Sequence, residues 1–463
     1  MGSTMPLYID TPTVVAIVAS TALIYISLSS LPNWARLWSR KDKPKDCKDA
    51  NDDLANPVAI INKLREMMAL VTKVSDEATP DELTNWQMAA GFYSLLHLNT
   101  ELWALDPDYR EKMYDKDDDV KLDELKELKD ALEYADWAYE TCFATLSANC
   151  RKVGLDLLHH DTATEPGRVS HFIALDHKNK TAIIGLKGTS TLADALTDLI
   201  ATPKEHCCHF DAPETARGLD SNNLFCHEGI HTAALWMADD IADTVENVFL
   251  PLGYKLLICG HSLGAGTACL LGMELRARIA AYRKNFTDLR VLAFATPAVL
   301  SFKASKECAP FITSVVNNSD LVPRASIGNL LVMNKLVLKV NERLDAKGHK
   351  LDTWAALRKY YEEEVAKVDD DLLFSAKELE DFFNETHCDP EVEGKDHLFV
   401  PGRCVVLWDK GENDNHEVGG IVTDCEMKML RQIELSSTMV TDHLCGSYRD
   451  NMVKLIQQLE KIV

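Results

Sequence analysis

Apolar positions along the chain follow three different patterns. Thr13 to Leu31, TVVAIVASTALIYISLSSL, is a run of 19 residues without a charge, the length at which a helix spans the hydrocarbon of a bilayer. From Asn56 to about Cys150 apolar residues recur at three- and four-residue spacing. PVAIINKLREMMALVTKV, DELTNWQMAAGFYSLLHL and LKELKDALEYADWAYETCFATL carry this pattern, and Thr79-Pro80 and Asp106-Pro107 break it. The spacing predicts a helical N-terminal region. From His171 onward short apolar runs take over. HFIALDHKNKTAIIGLKGTS reads as two strands joined at Asp176 to Lys180, and YKLLICG, LRVLAFATP, FITSVVNN and RCVVLWD read as further strands. Helical patterns such as EGIHTAALWMADDIADTVENVF and AGTACLLGMELRARIAAYRK lie between them. This alternation predicts an α/β fold, a mostly parallel sheet with helices on both faces.

The pattern divides the chain into a tail (1–12), a membrane-spanning segment (13–31), a charged linker (32–55), a helical region (56–150) and the α/β domain (151–463). Within the last, 329–396 is polar and helical and precedes RCVVLWD, read as the final strand. It is too long for a simple connection and is expected to be a lid or regulatory insert. Ser375 to Glu378 within it has the form of a capping box.

Charge refines this picture. The net charge of −23, from 49 basic and 72 acidic residues, excludes nucleic acid as an expected partner. No Lys or Arg precedes the 13–31 segment, whereas Arg36, Arg40, Lys41, Lys43, Lys45 and Lys48 follow it. The positive-inside bias then predicts a single-pass anchor with the remainder of the chain in the cytosol. A cleaved signal peptide is disfavoured because a basic n-region is missing. Met1-Gly2 suggests myristoylation, but Pro6 stands where that motif needs Ser or Thr. The 13 scattered cysteines read as reduced thiols, not a disulfide framework. HCCHF, His206 to Phe210, with Cys226 and His227 downstream, lacks zinc-ligand spacing and is read as loop. DKDDDVKLDELK, Asp115 to Lys126, imitates a calcium loop, yet Val120 and Lys126 occupy the places of the required Gly and Glu; it reads as a solvated helix start. No metal or cofactor is expected.

The chemistry centres on Gly260-His261-Ser262-Leu263-Gly264. A serine hydroxyl is a weak nucleophile without a positioned base and donors for the developing oxyanion. A G-x-S-x-G turn between an apolar strand and a small-residue helix supplies the sharp elbow that exposes such a serine. The acid is expected after the second strand beyond the elbow, where ITSVVNNSDLVPR places Asp320. The base is expected to follow the last strand, near the end of the chain. Of fifteen histidines only His397, His416 and His443 come late enough. His397 precedes RCVVLWD, His416 lies in the loop KGENDNHEVGG, and His443 sits before an amphipathic C-terminal helix, so His443 is the expected base. Oxyanion donors are expected at the Leu263 N–H and in the Gly188-Thr189 turn after an early strand, at Thr189.

LKGTSTLADALTDL, CHEGIHTAA, CGHSLGAGTACLL, VVNNSDLVPR, FVPGRCVVL and TDHLCGSY, in this order, resemble the class 3 lipases, with the sn-1-specific diacylglycerol lipases and their plant relatives most similar. The resemblance covers about Asp136 to Ile462. It implies an α/β-hydrolase fold and esterase action on acylglycerols held in a bilayer. It also implies a triad of Ser262, Asp320 and His443, with Thr189 and Leu263 at the oxyanion positions. Lys187 departs from the usual Arg, and animal diacylglycerol lipases carry several transmembrane helices where this chain has one candidate. Phospholipase A1, galactolipid or triacylglycerol lipase activity, or an inactive scaffold of the same fold, stand as alternative readings.

Overall fold

The computed structural model describes residues 85–105, 118–163, 168–189, 203–205, 225–285, 288–346, 356, 374–386, 397–409, 417–436 and 438–461. The expected membrane segment at 13–31, the linker, His206 to Phe210 and His416 lie outside the described residues. Among the described residues no helix is long and apolar enough to cross a membrane.

A nine-stranded sheet organises the fold. Its strands are β1 (Asp118–Asp119), β2 (Asp156–Asp161), β3 (His171–Asp176), β4 (Thr181–Leu186), β7 (Lys255–His261), β8 (Leu289–Phe294), β9 (Ile312–Asn317), β10 (Arg403–Asp409) and β11 (Val418–Thr423), while β5 (Pro203–Glu205) and β6 (Phe225–His227) form a separate pair. The spatial order is β1-β11-β10-β9-β8-β7-β4-β3-β2. The five central strands β4, β7, β8, β9 and β10 run parallel. Both edges are antiparallel. This is the mostly parallel sheet that the alternating pattern predicted, in the α/β-hydrolase arrangement that the resemblance implies.

Side-chain alternation divides the core between the two faces. Leu256 and Ile258 of β7 and Val291 and Ala293 of β8 bury on one side, with α1 (Asn85–Leu105), α4 (Glu228–Thr244), α5 (Leu263–Arg278) and α6 (Ile327–Ala346). Cys259, Leu292 and Phe294 point the other way and meet α2 (Leu122–Trp137) and α8 (Cys445–Glu460). Next to them, α3 (Phe143–Lys152) supplies Leu146 and Cys150 to a smaller cluster with Phe172 and Ile183.

Several expectations change here. The helical stretch read as one element from Leu125 is two helices, α2 and α3, and α2 is a covering layer of the sheet rather than part of a separate region ending at 150. RCVVLWD is not the last strand: VGGIVT adds β11 antiparallel to it. Its glycines masked the apolar signal. Both stand where neighbours leave no room, Gly419 against the Trp408 ring and Gly420 against Leu455 and Val120. Edge strand β2 was also missed; DLLHHD lacks clean alternation, and a register shift interrupts it between Leu157 and His159. Asp118–Asp119 pairs with β11 before α2 begins.

The insert expected at 329–396 begins as core. Leu330, Leu331, Val337 and Val340 of α6 are buried, and α6 packs along α1, so these first residues are not a surface lid. At α7 (Ala376–Thr386) the capping box forms: Glu378 N–H donates to Ser375 Oγ at 3.3 Å and Ser375 N–H to Glu378 Oε2 at 2.8 Å. Cys226 and His227, read as loop, lie in β6, where His227 Nδ1 accepts from Ile230 N–H and caps α4.

Candidate active site

The site forms at the carboxyl ends of the parallel strands, where open α/β sheets place their ligands. Strand β7 delivers Ser262 at φ 60°, ψ −132°, a left-handed backbone that a β-carbon ordinarily avoids. Its neighbours explain how the strain is held. A methyl group on Gly260 would fall 2.3 Å from the Gly264 carbonyl oxygen; one on Gly264 would fall 2.5 Å from the Leu186 carbonyl oxygen and 2.8 Å from Gly188 N. Main chain therefore lies directly on main chain, and only glycine fits at either place. Ser262 N–H donates to Phe294 O of β8 at 2.9 Å, and Ser262 O accepts from Ala265 N–H at 2.9 Å, fixing the turn from β7 into α5.

Asp320 follows β9, and His443 sits in a short 3₁₀ turn, Thr441–His443, before α8. The structure brings the three side chains together. His443 Nε2 is 3.1 Å from Ser262 Oγ, and its Nδ1 is 3.0 Å from Asp320 Oδ1 and 3.2 Å from Oδ2. All three residues are buried. The carboxylate only accepts, so Nδ1 carries the proton and Nε2 is the basic nitrogen facing the serine.

The carboxylate is further fixed by Val322 N–H at 3.0 Å on Oδ1 and Tyr448 Oη–H at 2.7 Å on Oδ2. Burial by itself would raise the Asp320 pKa, but His443 and these donors outweigh it and hold the carboxyl below its ordinary range. The loop around it is a closed polar net. Arg324, wholly buried, donates to Met429 O at 2.9 Å, Asp320 O at 2.7 Å and Asn318 O at 2.7 Å. Asp442, one residue before the histidine, accepts from Asn318 Nδ2 at 3.2 Å and Ser319 N–H at 3.3 Å; its carbonyl accepts from Asn317 Nδ2 at 3.1 Å. Asn451 Nδ2 in turn donates to Asn317 Oδ1 at 2.7 Å.

Of the expected oxyanion residues, Leu263 is the first residue of α5, where helix geometry leaves N–H groups without intrahelical acceptors. Thr189 follows Gly188, whose α-carbon borders the elbow: a methyl there would be 3.1 Å from Ser262 Cβ and 2.5 Å from the His261 carbonyl oxygen. His397, set aside as a base, lies against Gly328 at the start of α6. Among the described residues no group of three or more His, Cys, Asp or Glu is disposed to hold a metal ion. Tyr139, Arg324, Asp442, Tyr448 and Asn451 were not singled out from the sequence. They meet the site from several separate elements, so no local motif announces them.

The family model described as Lipase (class 3) matches residues 183–329. Diacylglycerol lipase-beta of Mus musculus is 28% identical over 192 residues, 40% of this chain and 26% of that protein. Diacylglycerol lipase-alpha of Homo sapiens is 30% identical over 193 residues, 40% of this chain and 17% of that protein. The alignments thus span about a quarter or less of these relatives. The native propeptide complex of Rhizomucor miehei lipase overlays with a TM-score of 0.44 at 16% identity, covering 71% of this chain and 81% of that one. The matched segment runs from β4 through the elbow and the Asp320 loop to the start of α6. Residues 183–329 thus carry the similarity to the class 3 lipases.

Proposed function

We propose that the protein is a serine lipase that hydrolyses a fatty-acyl ester of a glycerolipid, with diacylglycerol, cleaved at sn-1, as its substrate. The observation that carries the reading is the unbroken line Ser262 Oγ, His443 Nε2, His443 Nδ1, Asp320 at hydrogen-bond spacing on a strained strand-to-helix turn. The similarity to diacylglycerol lipases supports the choice of substrate.

In the proposed mechanism Ser262 Oγ attacks the ester carbonyl as its proton passes to His443 Nε2. The Leu263 N–H and Thr189 receive the oxyanion that develops. Collapse expels the glycerolipid alcohol, which takes the proton from His443, and leaves the acyl group on Ser262. Water then gives its proton to His443 and attacks the acyl-enzyme, releasing fatty acid and restoring Ser262. Asp320 stays ionised throughout and stabilises the imidazolium. The chemistry needs no cofactor. We further propose that the 13–31 segment anchors the chain with its catalytic domain facing the cytosol, and that the membrane supplies the lipid substrate.

The test is hydrolysis of a panel of diacylglycerol, monoacylglycerol, triacylglycerol, phospholipid and galactolipid by the purified chain. The expected result is fatty-acid release from diacylglycerol with a monoacylglycerol product acylated at sn-2, lost in Ser262→Ala. Preference for phospholipid would overturn the substrate; activity independent of Ser262 would overturn the mechanism.

A further inference from the structure

Tyr139 stands just beyond the end of α2, on an element that contributes nothing to the Ser262–His443–Asp320 line, yet its hydroxyl reaches the elbow. It lies 3.0 Å from Nδ1 of the buried His261. On the opposite side of the same ring, Nε2 lies 2.8 Å from the backbone carbonyl of His443. We propose that Tyr139 and His261 are positioning residues for the base: Tyr139 Oη–H donates to His261 Nδ1, and His261 Nε2–H donates to the His443 carbonyl, tying the residue before the nucleophile to the backbone of His443. The proposal rests on the reading of Ser262 as nucleophile and His443 as base.

The direction of each bond follows from the acceptor. A carbonyl oxygen only accepts, so Nε2 of His261 carries the hydrogen. In a neutral ring Nδ1 is then bare and requires a donor, which Tyr139 supplies. Burial first, and the adjacent His443 second, push the His261 imidazole down to about 3, so the ring is neutral across the physiological range. The single Tyr139 proton is committed to that ring. Tyr139 therefore does not serve the oxyanion, although its hydroxyl is close: a methyl on Gly188 would come within 2.6 Å of it.

Neutrality of His261 matters for the reaction. The His261 and His443 rings lie 4.8 Å apart between centroids. When His443 accepts the serine proton it becomes a cation, and a second imidazolium at that distance would oppose the step. With Nδ1 occupied by Tyr139 and Nε2–H by a carbonyl, His261 has no lone pair open to a proton. The rest of the surroundings keep Tyr139 in place. Arg449 of α8 clamps the end of α2 through Glu133 at 2.6 Å and Asp136 at 2.7 Å. The Lys187 ammonium lies 5.9 Å from the Tyr139 ring centre. Asp442 holds the other side of the His443 turn through Asn318 and Ser319, so His261 completes the fixation from the nucleophile's side.

The test measures kcat and KM of the full chain on a short soluble p-nitrophenyl ester, with the melting temperature of each variant and ¹⁵N NMR of the imidazoles. Tyr139→Phe is expected to lower kcat about tenfold while KM stays within about twofold, since one buried acceptor loses its donor. His261→Gln keeps an N–H for the His443 carbonyl and is expected to retain more kcat than His261→Leu. In the wild type, His261 is expected as the Nε2–H tautomer. If Tyr139→Phe does not fold, the two His261 variants carry the test. Wild-type kcat in both Tyr139→Phe and His261→Leu, or an Nδ1–H tautomer at His261, would overturn the proposal. Hydrolysis that survives Ser262→Ala would overturn the reading beneath it, and the tautomer assignment separates the two failures.

Discussion

Around Asp320 and His443, polar side chains do the holding; around Ser262, main chain rests on main chain. The acid–base half draws Arg324, Asn317, Asn318, Asp442, Tyr448 and Asn451 into one hydrogen-bonded net. The nucleophile half has almost no side chain to spare, and its precision comes from Gly260 and Gly264 admitting backbone at distances no methyl would allow. The contrast suits the two roles proposed for these halves. A base must keep its orientation while its charge changes, which calls for directional bonds. A nucleophile must be held on a strained turn, which calls for close packing of the backbone around it.

Breaking each half should therefore produce different damage, and the largest loss removes the reacting atoms themselves. Ser262→Ala or His443→Ala is expected to cut kcat by roughly four to six powers of ten with the melting temperature nearly unchanged, measured by single-turnover hydrolysis. Arg324→Met attacks the polar net. It removes three hydrogen bonds and takes a buried cation from beside Glu434, 3.9 Å away. Denaturant unfolding should show a loss of about 3 kcal/mol. Gly264→Ala attacks the packed half, and pushing the Leu186 to Gly188 main chain away should cost about 2 kcal/mol together with most of the activity. Tyr448→Phe removes one donor to Asp320 and should cost about 1 kcal/mol, leaving hydrolysis measurable but slowed.

The last expected effect is a pH slope, read across a titration and not as a loss at one pH. His261 is neutral in the fold down to about 3, whereas in the unfolded chain it titrates near the ordinary histidine value of about 6.5. Between those values the unfolded state binds the extra proton, so stability falls as pH drops from about 6.5 towards 3. Replacing His261 by Gln should flatten that slope by at most about 1.4 kcal/mol per pH unit. His171, buried in β3 and also shifted down, titrates in the same sense and leaves a residual slope. Depressed Asp320 acts at the acid end: its contribution is present above the ordinary carboxylate range and disappears as pH falls through its lowered pKa. Urea unfolding at stepped pH values would resolve both contributions.

The same contrast explains what could be read in the sequence. The packed half is local: five consecutive residues, Gly260 to Gly264, with a strand before and a helix after, announce the turn. The central strands were legible because both their faces are buried, giving continuous apolar runs such as YKLLICG and LRVLAFATP. Edge strands β2 and β11 were not, since a register shift interrupts one and close-packed glycines dilute the other. The polar net is spread across β9, the loop after it, the 429–434 segment and α8, and its members look like ordinary loop and helix residues. Tyr448 lies on the buried stripe of α8, where period alone assigns it to the core. The start of the 329–396 insert misled because α6 mixes Asn329, Asn334 and Lys335 with its apolar face, and only its packing along α1 reveals it as core.

The central claim is that Ser262 is a nucleophile activated by His443. Its most direct test is the reaction of the folded chain with a fluorophosphonate probe, followed by mass mapping of the adduct. The account predicts one adduct, on Ser262, absent in Ser262→Ala and formed far more slowly in His443→Ala. A folded wild type that remains unlabelled, or that carries its adduct on another residue, would contradict it.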